Sequence, residues 1–160
     1  MQWWARAATT GRFALGRESP ALVGATVPFV DAELAARHWA QTWERAWPAK
    51  DIDAIAALYA DEATYRALVH REPDHGPEGV RDYLRRNFDV EGDVECSFGT
   101  PVAAGDRAAV EWWASWYEDG ADLTMAGVTV LRFRSDGLVV DHRDYWNEVS
   151  GREPPFPGWK

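Results

Sequence analysis

A chain of 160 residues, 46% of them apolar, is long enough for one domain with a proper hydrophobic core. The net charge of −9 leaves no basic face to neutralise phosphates, which argues against nucleic acid or an anionic membrane as the main partner. No stretch approaches the roughly 18 apolar residues of a membrane helix, and the single cysteine, Cys96, excludes an internal disulfide and fits a reducing, cytoplasmic compartment.

Ten tryptophans are far above ordinary usage. Indole covers much area at little entropic cost, so this enrichment points to a large core or an aromatic-lined cavity. The first 30 residues stand apart, with MQWWARAATTGRFALGR carrying arginines but no acid and no clear periodicity. They read as a poorly ordered or loosely docked extension, with residues 31–150 as the domain and 151–160 as an extended proline-rich tail.

From Asp31 onward the signals sharpen. Asp31 is a good N-cap and Glu33 suits a first helical turn. Trp39, Trp43 and Trp47 follow at four-residue spacing along one helical face until Pro48 stops the helix. A second helix is predicted over DIDAIAALYA, with Ile52, Ile55 and Tyr59 on one side. ATYRA then reads as a short strand. VHREPDH, with His70 and His75, reads as a solvated loop and supplies no defined third partner for a metal. Gly76-Pro77 opens a third helix whose Val80, Tyr83, Leu84 and Phe88 face inward.

After Gly92 the pattern changes to strands. Turn signals at Ala104-Gly105-Asp106, Asp119-Gly120 and Asp136-Gly137 divide residues 93–148 into four long strands joined as antiparallel hairpins. Cys96 falls in the alternating run DVECSF, as a small strand residue rather than a nucleophile. Helices followed by a meander define an α+β domain, with helices packed on one face of a curved, mainly antiparallel sheet.

Alternation assigns faces. Val110, Trp112, Ala114 and Trp116 share one face of their strand, and Ala109, Glu111, Trp113, Ser115 and Tyr117 share the other. Both are substantially apolar, so a sheet covered by helices on one side and by a second copy on the other would explain the pattern; a homodimer is expected. In the last strand Leu138, Val140, His142, Asp144 and Trp146 align, with Asp141, Arg143, Tyr145 and Asn147 opposite. The four consecutive ionisable residues of DHRD are thus two pairs on two faces.

The order of elements, with the blocks LYADEATY, GPEGVRDYL and DGLVVDHRDYW, resembles the SnoaL-like polyketide cyclase branch of the nuclear transport factor 2-like superfamily over about residues 33–148. That resemblance implies the superfamily's cone-shaped fold, with three N-terminal helices on the sheet, and a hydrophobic small-molecule cavity. The aspartate that such cyclases use as acid/base matches Asp144, as does the catalytic aspartate of limonene epoxide hydrolase-like enzymes. Other family positions differ. Trp43 stands where ketosteroid isomerase-like enzymes have a catalytic tyrosine, and Ala67 where they have a general base. Thr129 replaces their second aspartate and lies near the histidine of the cyclases. Ala109 and Glu111 do not reproduce the arginine–aspartate pair of the hydrolases.

A carboxyl group taken out of water into an aromatic hollow holds its proton more tightly, and so can take a proton from carbon or oxygen and return it elsewhere. Asp144 in that role, tuned by His142, needs no metal or organic cofactor. Trp43, Tyr59, Tyr65, Glu111, Trp113, Thr129 and Trp146 are the candidate pocket residues. The expected function is a cofactor-independent enzyme acting on a small hydrophobic carbonyl compound. The alternatives are a non-catalytic ligand-binding or dimerisation module and an epoxide hydrolase-like enzyme. Asp144 paired with Arg132 or Arg134 across the sheet would favour the module.

Overall fold

The computed structural model describes residues 30–160; the expectation for the N-terminal extension lies outside these residues. They form a mixed α+β fold of three helices and one curved, seven-stranded sheet. Among them, no helix is long and apolar enough to cross a membrane.

Helix α1 spans Ala32–Ala49, its first turn capped by the Asp31 carboxylate, which accepts from Leu34 N at 3.0 Å. Pro48 does not stop it. The helix ends at Lys50, which adopts a left-handed conformation (φ 54°) and returns its N–H to Ala46 and Trp47. The Lys50 ammonium then donates to the carbonyls of Phe88 and Glu91, tying this end to the segment after α3 (Gly76–Phe88). Helix α2 covers only Ile52–Ala56, shorter than expected, because Tyr59 has already entered strand β1 (Tyr59–Arg66). Strand β1 lies parallel to β7 (Val139–Ser150), with Tyr59 beside Val139 and Tyr65 beside His142. That non-local pairing overrides the helical periodicity through Tyr59.

The strands β2 (Asp74–His75), β3 (Gly92–Phe98), β4 (Val102–Ala104), β5 (Arg107–Glu118) and β6 (Ala121–Phe133) complete the sheet, ordered β2-β1-β7-β6-β5-β3 with β4 also pairing with β5. The first of the four expected long strands is therefore two short ones, separated at Gly99-Thr100-Pro101. The three expected turns join β4 to β5, β5 to β6 and β6 to β7.

Register across β5, β6 and β7 stacks the inward-facing residues in rows: Ala108, Leu131 and His142; then Val110, Thr129 and Asp144; then Trp112, Gly127 and Trp146. Along β7 the alternation breaks once. A bulge at Val140 lets Val139, rather than Val140, pair with Phe133 and become fully buried. The three tryptophans of α1 lie over the inner face, with ring centroids 5.8 Å apart from Trp39 to Trp43 and from Trp43 to Trp47. The tail crosses the outer face. Trp113 Nε1 donates to Glu153 O at 2.7 Å, Phe156 and Trp159 pack edge-on against the Trp113 ring, and Lys160 reaches Glu44 of α1.

Candidate active site

The last strand carries two different pairs of ionisable residues. Asp141 and Arg143 point outward, 3.0 Å apart, and Asp141 also accepts from the Thr64 hydroxyl and lies 3.5 Å from Arg66. His142 and Asp144 point inward, toward a cavity of about 550 Å³ between the helices and the concave face. Its walls are chiefly aromatic: Trp39, Trp43 and Trp47 from α1, Tyr83 and Phe88 from α3, Trp112 and Trp116 from β5. Exposed Arg71, Glu72 and Arg86 mark its rim.

His142 is 1% exposed. Its ring stacks on Tyr65 with centroids 4.2 Å apart, and its Nδ1 lies 2.9 Å from the Tyr59 hydroxyl. Tyr59 in turn accepts from the Trp39 indole N–H at 3.3 Å. On the other side of the ring, Nε2 is 2.9 Å from Asp144 Oδ2. The contact is close but lies off the N–H axis, so Nε2 has no well-aligned hydrogen bond. The second carboxylate oxygen, Oδ1, accepts from the Thr129 hydroxyl at 2.5 Å, and Thr129 Oγ1 accepts from Trp112 Nε1 at 3.0 Å. Asp144 is 12% exposed, and among the described residues no arginine pairs with it. Arg132 lies opposite Asp141 in the register, while Arg134 is held by Glu62 and Asp136.

Burial pushes the phenol pKa values of Tyr59, Tyr65 and Tyr83 well above the ordinary tyrosine value, and the nearby Asp144 charge adds to this in all three. Indole hydrogen bonds only partly oppose it at Tyr59. The three side chains are therefore neutral hydrogen-bonding groups. A second acid, Glu91, is 8% exposed in the cavity wall and accepts from Trp47 Nε1 at 2.7 Å. Burial raises its pKa, the Trp47 bond opposes that, and nearby Glu118 raises it further. Cys96 is inert by the same physics: burial pushes its thiol up to about 12.

Of the pocket residues expected from sequence, Trp43, Tyr65, Thr129 and Trp146 line the cavity with His142 and Asp144, and Tyr59 stands directly behind the imidazole. Glu111 and Trp113 do not. They lie on the outer face, Glu111 exposed and Trp113 under the tail, because inward positions of β5 have the parity of Val110 and Trp112. That parity was readable, but with both faces apolar it did not say which one is concave. Trp39, Trp47, Trp112 and Trp116 went unassigned to the site. The even spacing of the α1 indoles and the Trp112/Trp116 alternation were the signals for them.

The fold and site thus define a cavity-bearing α+β protein with one carboxylate–imidazole pair at the inner wall. Residues 36–142 match the model of the SnoaL-like domain family, and the chain belongs to that family. A curated relative is the cyclase aurE of Calcarisporium arbuscula, 23% identical over 108 residues that cover 64% of this chain and 79% of the cyclase. Among solved structures, the epoxide hydrolase/cyclase-like enzyme SalBIII, connected with pyran ring formation in the polyether salinomycin, superposes with a TM-score of 0.63. It is 21% identical, over 73% of this chain and 93% of SalBIII. A protein of ketosteroid isomerase-like fold from Catenulispora acidiphila DSM 44928, in complex with trimethylamine, gives 0.60 at 22% identity, over 67% of this chain and 83% of that one. These structural likenesses establish the fold.

Proposed function

We propose that this protein is a cofactor-independent enzyme of the cyclase/isomerase kind, acting on a small hydrophobic carbonyl compound with Asp144 as acid/base and His142 beside it. The observation that carries this reading is the carboxylate of Asp144, facing an aromatic cavity and unpaired with any arginine among the described residues. In the proposed step Asp144 takes a proton from the carbon next to the carbonyl. The C–H electron pair stays on the substrate as an enolate, and the proton is later returned to carbon or oxygen of the product. The surrounding phenols and indoles supply apolar walls with N–H and O–H groups that orient a carbonyl-bearing ligand. The relationship to a cyclase supports the reaction class, and residues 31–150 are proposed as the working unit, assembled as a homodimer in a reducing, cytoplasmic setting.

The test is turnover of a panel of aromatic polyketides and β-keto esters, first screened by thermal shift. Asp144→Asn keeps the shape of the side chain but removes the base, and it is expected to lower kcat at least about a hundredfold. Near-normal turnover by this variant overturns the assignment.

A further inference from the structure

Two chains of polar contacts lead to Asp144, one of hydrogen bonds throughout and one ending in the 2.9 Å contact of His142 Nε2 with Oδ2, and each starts at a group that can only donate. Indole nitrogen carries a proton and has no lone pair to offer. On one side Trp112 Nε1 donates to Thr129, so the Thr129 hydroxyl must spend its own proton on Asp144 Oδ1. On the other side Trp39 Nε1 donates to the oxygen of Tyr59, which is 2% exposed. Among the described residues, the one acceptor within reach of that hydroxyl is His142 Nδ1. Were Nδ1 protonated, the Tyr59 O–H would be buried with no acceptor, an arrangement native interiors avoid. Nδ1 is therefore the acceptor, and a neutral imidazole carries its proton on Nε2, toward Asp144 Oδ2.

We infer that Trp39, Tyr59 and Trp112 are positioning residues that lock the site into one protonation pattern, with His142 as the Nε2–H tautomer and Asp144 as the acceptor at the end of both chains. This deepens the acid/base reading above and rests on it for its role in turnover, although the tautomer itself does not. Its consequence is a division of labour. Asp144 is the base of the proposed step, and His142 stands beside it with Nε2–H on the side of Oδ2, 2.9 Å away. Because the buried phenol of Tyr59 keeps its proton, the chain behind His142 is a clamp rather than a conduit to solvent. A proton taken by Asp144 stays with the Asp144–His142 pair until it returns to the substrate.

The direct test needs no substrate. Long-range proton–nitrogen correlation on the full, nitrogen-15-labelled chain at about pH 8, above the ordinary histidine value of about 6.5, reads the two ring nitrogens of His142 separately. The His142→Gln spectrum identifies the signals. A bare Nδ1 and a protonated Nε2, in at least about tenfold excess over the other tautomer, are expected. A protonated Nδ1, or averaging of the two forms, overturns the inference. Tyr59→Phe should then mix the tautomers, and an unchanged spectrum would remove Tyr59 from its positioning role. Should that variant fail to fold, the wild-type spectrum still decides. Loss of the acid/base reading would appear differently, as turnover surviving in Asp144→Asn with the tautomer intact.

Discussion

At the scale of single residues, the cavity treats its two inner carboxylates differently. Asp144 receives a hydroxyl proton from Thr129 and faces an imidazole, whereas Glu91 has one indole donor and a second acid, Glu118, nearby. Since burial raises the folded-state pKa of Glu91 above the ordinary glutamate value, the native state binds its proton more tightly than the unfolded chain does. The contribution of this group to stability is therefore complete at pH below the ordinary glutamate value and is lost as pH rises through the higher folded value. Glu91→Gln retains an oxygen to accept from Trp47 and has no charge to bury. Urea midpoints measured at about pH 5 and about pH 8 are expected to fall less for this variant than for the parent chain. An identical fall in both would show that the acid is not held in a desolvated state.

At the scale of elements, the floor of the cavity depends on a glycine. Gly127 lies in the row between Trp112 and Trp146. A Cβ there would stand 2.6 Å from Tyr145 O, 2.8 Å from Trp146 Cβ and 2.9 Å from Trp112 Cζ2. Backbone and two packed indoles cannot all retreat, so Gly127→Ala is expected to cost about 1–3 kcal/mol in denaturant unfolding. It should also disturb the Trp112–Thr129 bond that supports Asp144; an unfolding midpoint equal to the parent's would contradict the packing. Strand alternation made much of this floor legible in sequence. It put His142, Asp144 and Trp146 on one face and gathered Trp112 with Trp116. Alternation is local, however, and three features that are not local escaped it. The parallel pairing of β1 with β7 turned Tyr59 from helix to strand and placed it behind His142. The bulge at Val140 has no signature in a run of two valines. The inward face of β5 is ambiguous in sequence because tryptophan occurs on both sides, and the structure puts Glu111 and Trp113 on the outer one.

At the scale of the whole molecule, the same ambiguity has a physical origin: the outer face of the sheet carries large apolar side chains as well as polar ones. Trp113 is covered by Phe156 and Trp159 of the tail, yet beside it Tyr117, Tyr145 and Val149 remain 47%, 46% and 49% exposed. Three large apolar side chains on strands β5 and β7, which flank β6, lie on the same face as the aromatic cluster and form the kind of patch that a monomer seldom leaves in water. In the proposed homodimer this patch meets its own copy about a two-fold axis, so one substitution acts twice across the interface. Tyr145→Glu combined with Val149→Asp adds charge only on the outer face, away from the cavity residues His142 and Asp144 on the opposite side of the same strand. Light scattering at micromolar concentration is expected to give twice the 18.0 kDa chain mass for the parent protein and a single chain mass for the double variant. The tryptophan-lined cavity of that monomer should persist, seen as an unchanged tautomer of His142. A parent protein that scatters as one chain would leave the outer face to the tail alone, and the spare aromatics of β5 and β7 would then need a partner other than this chain.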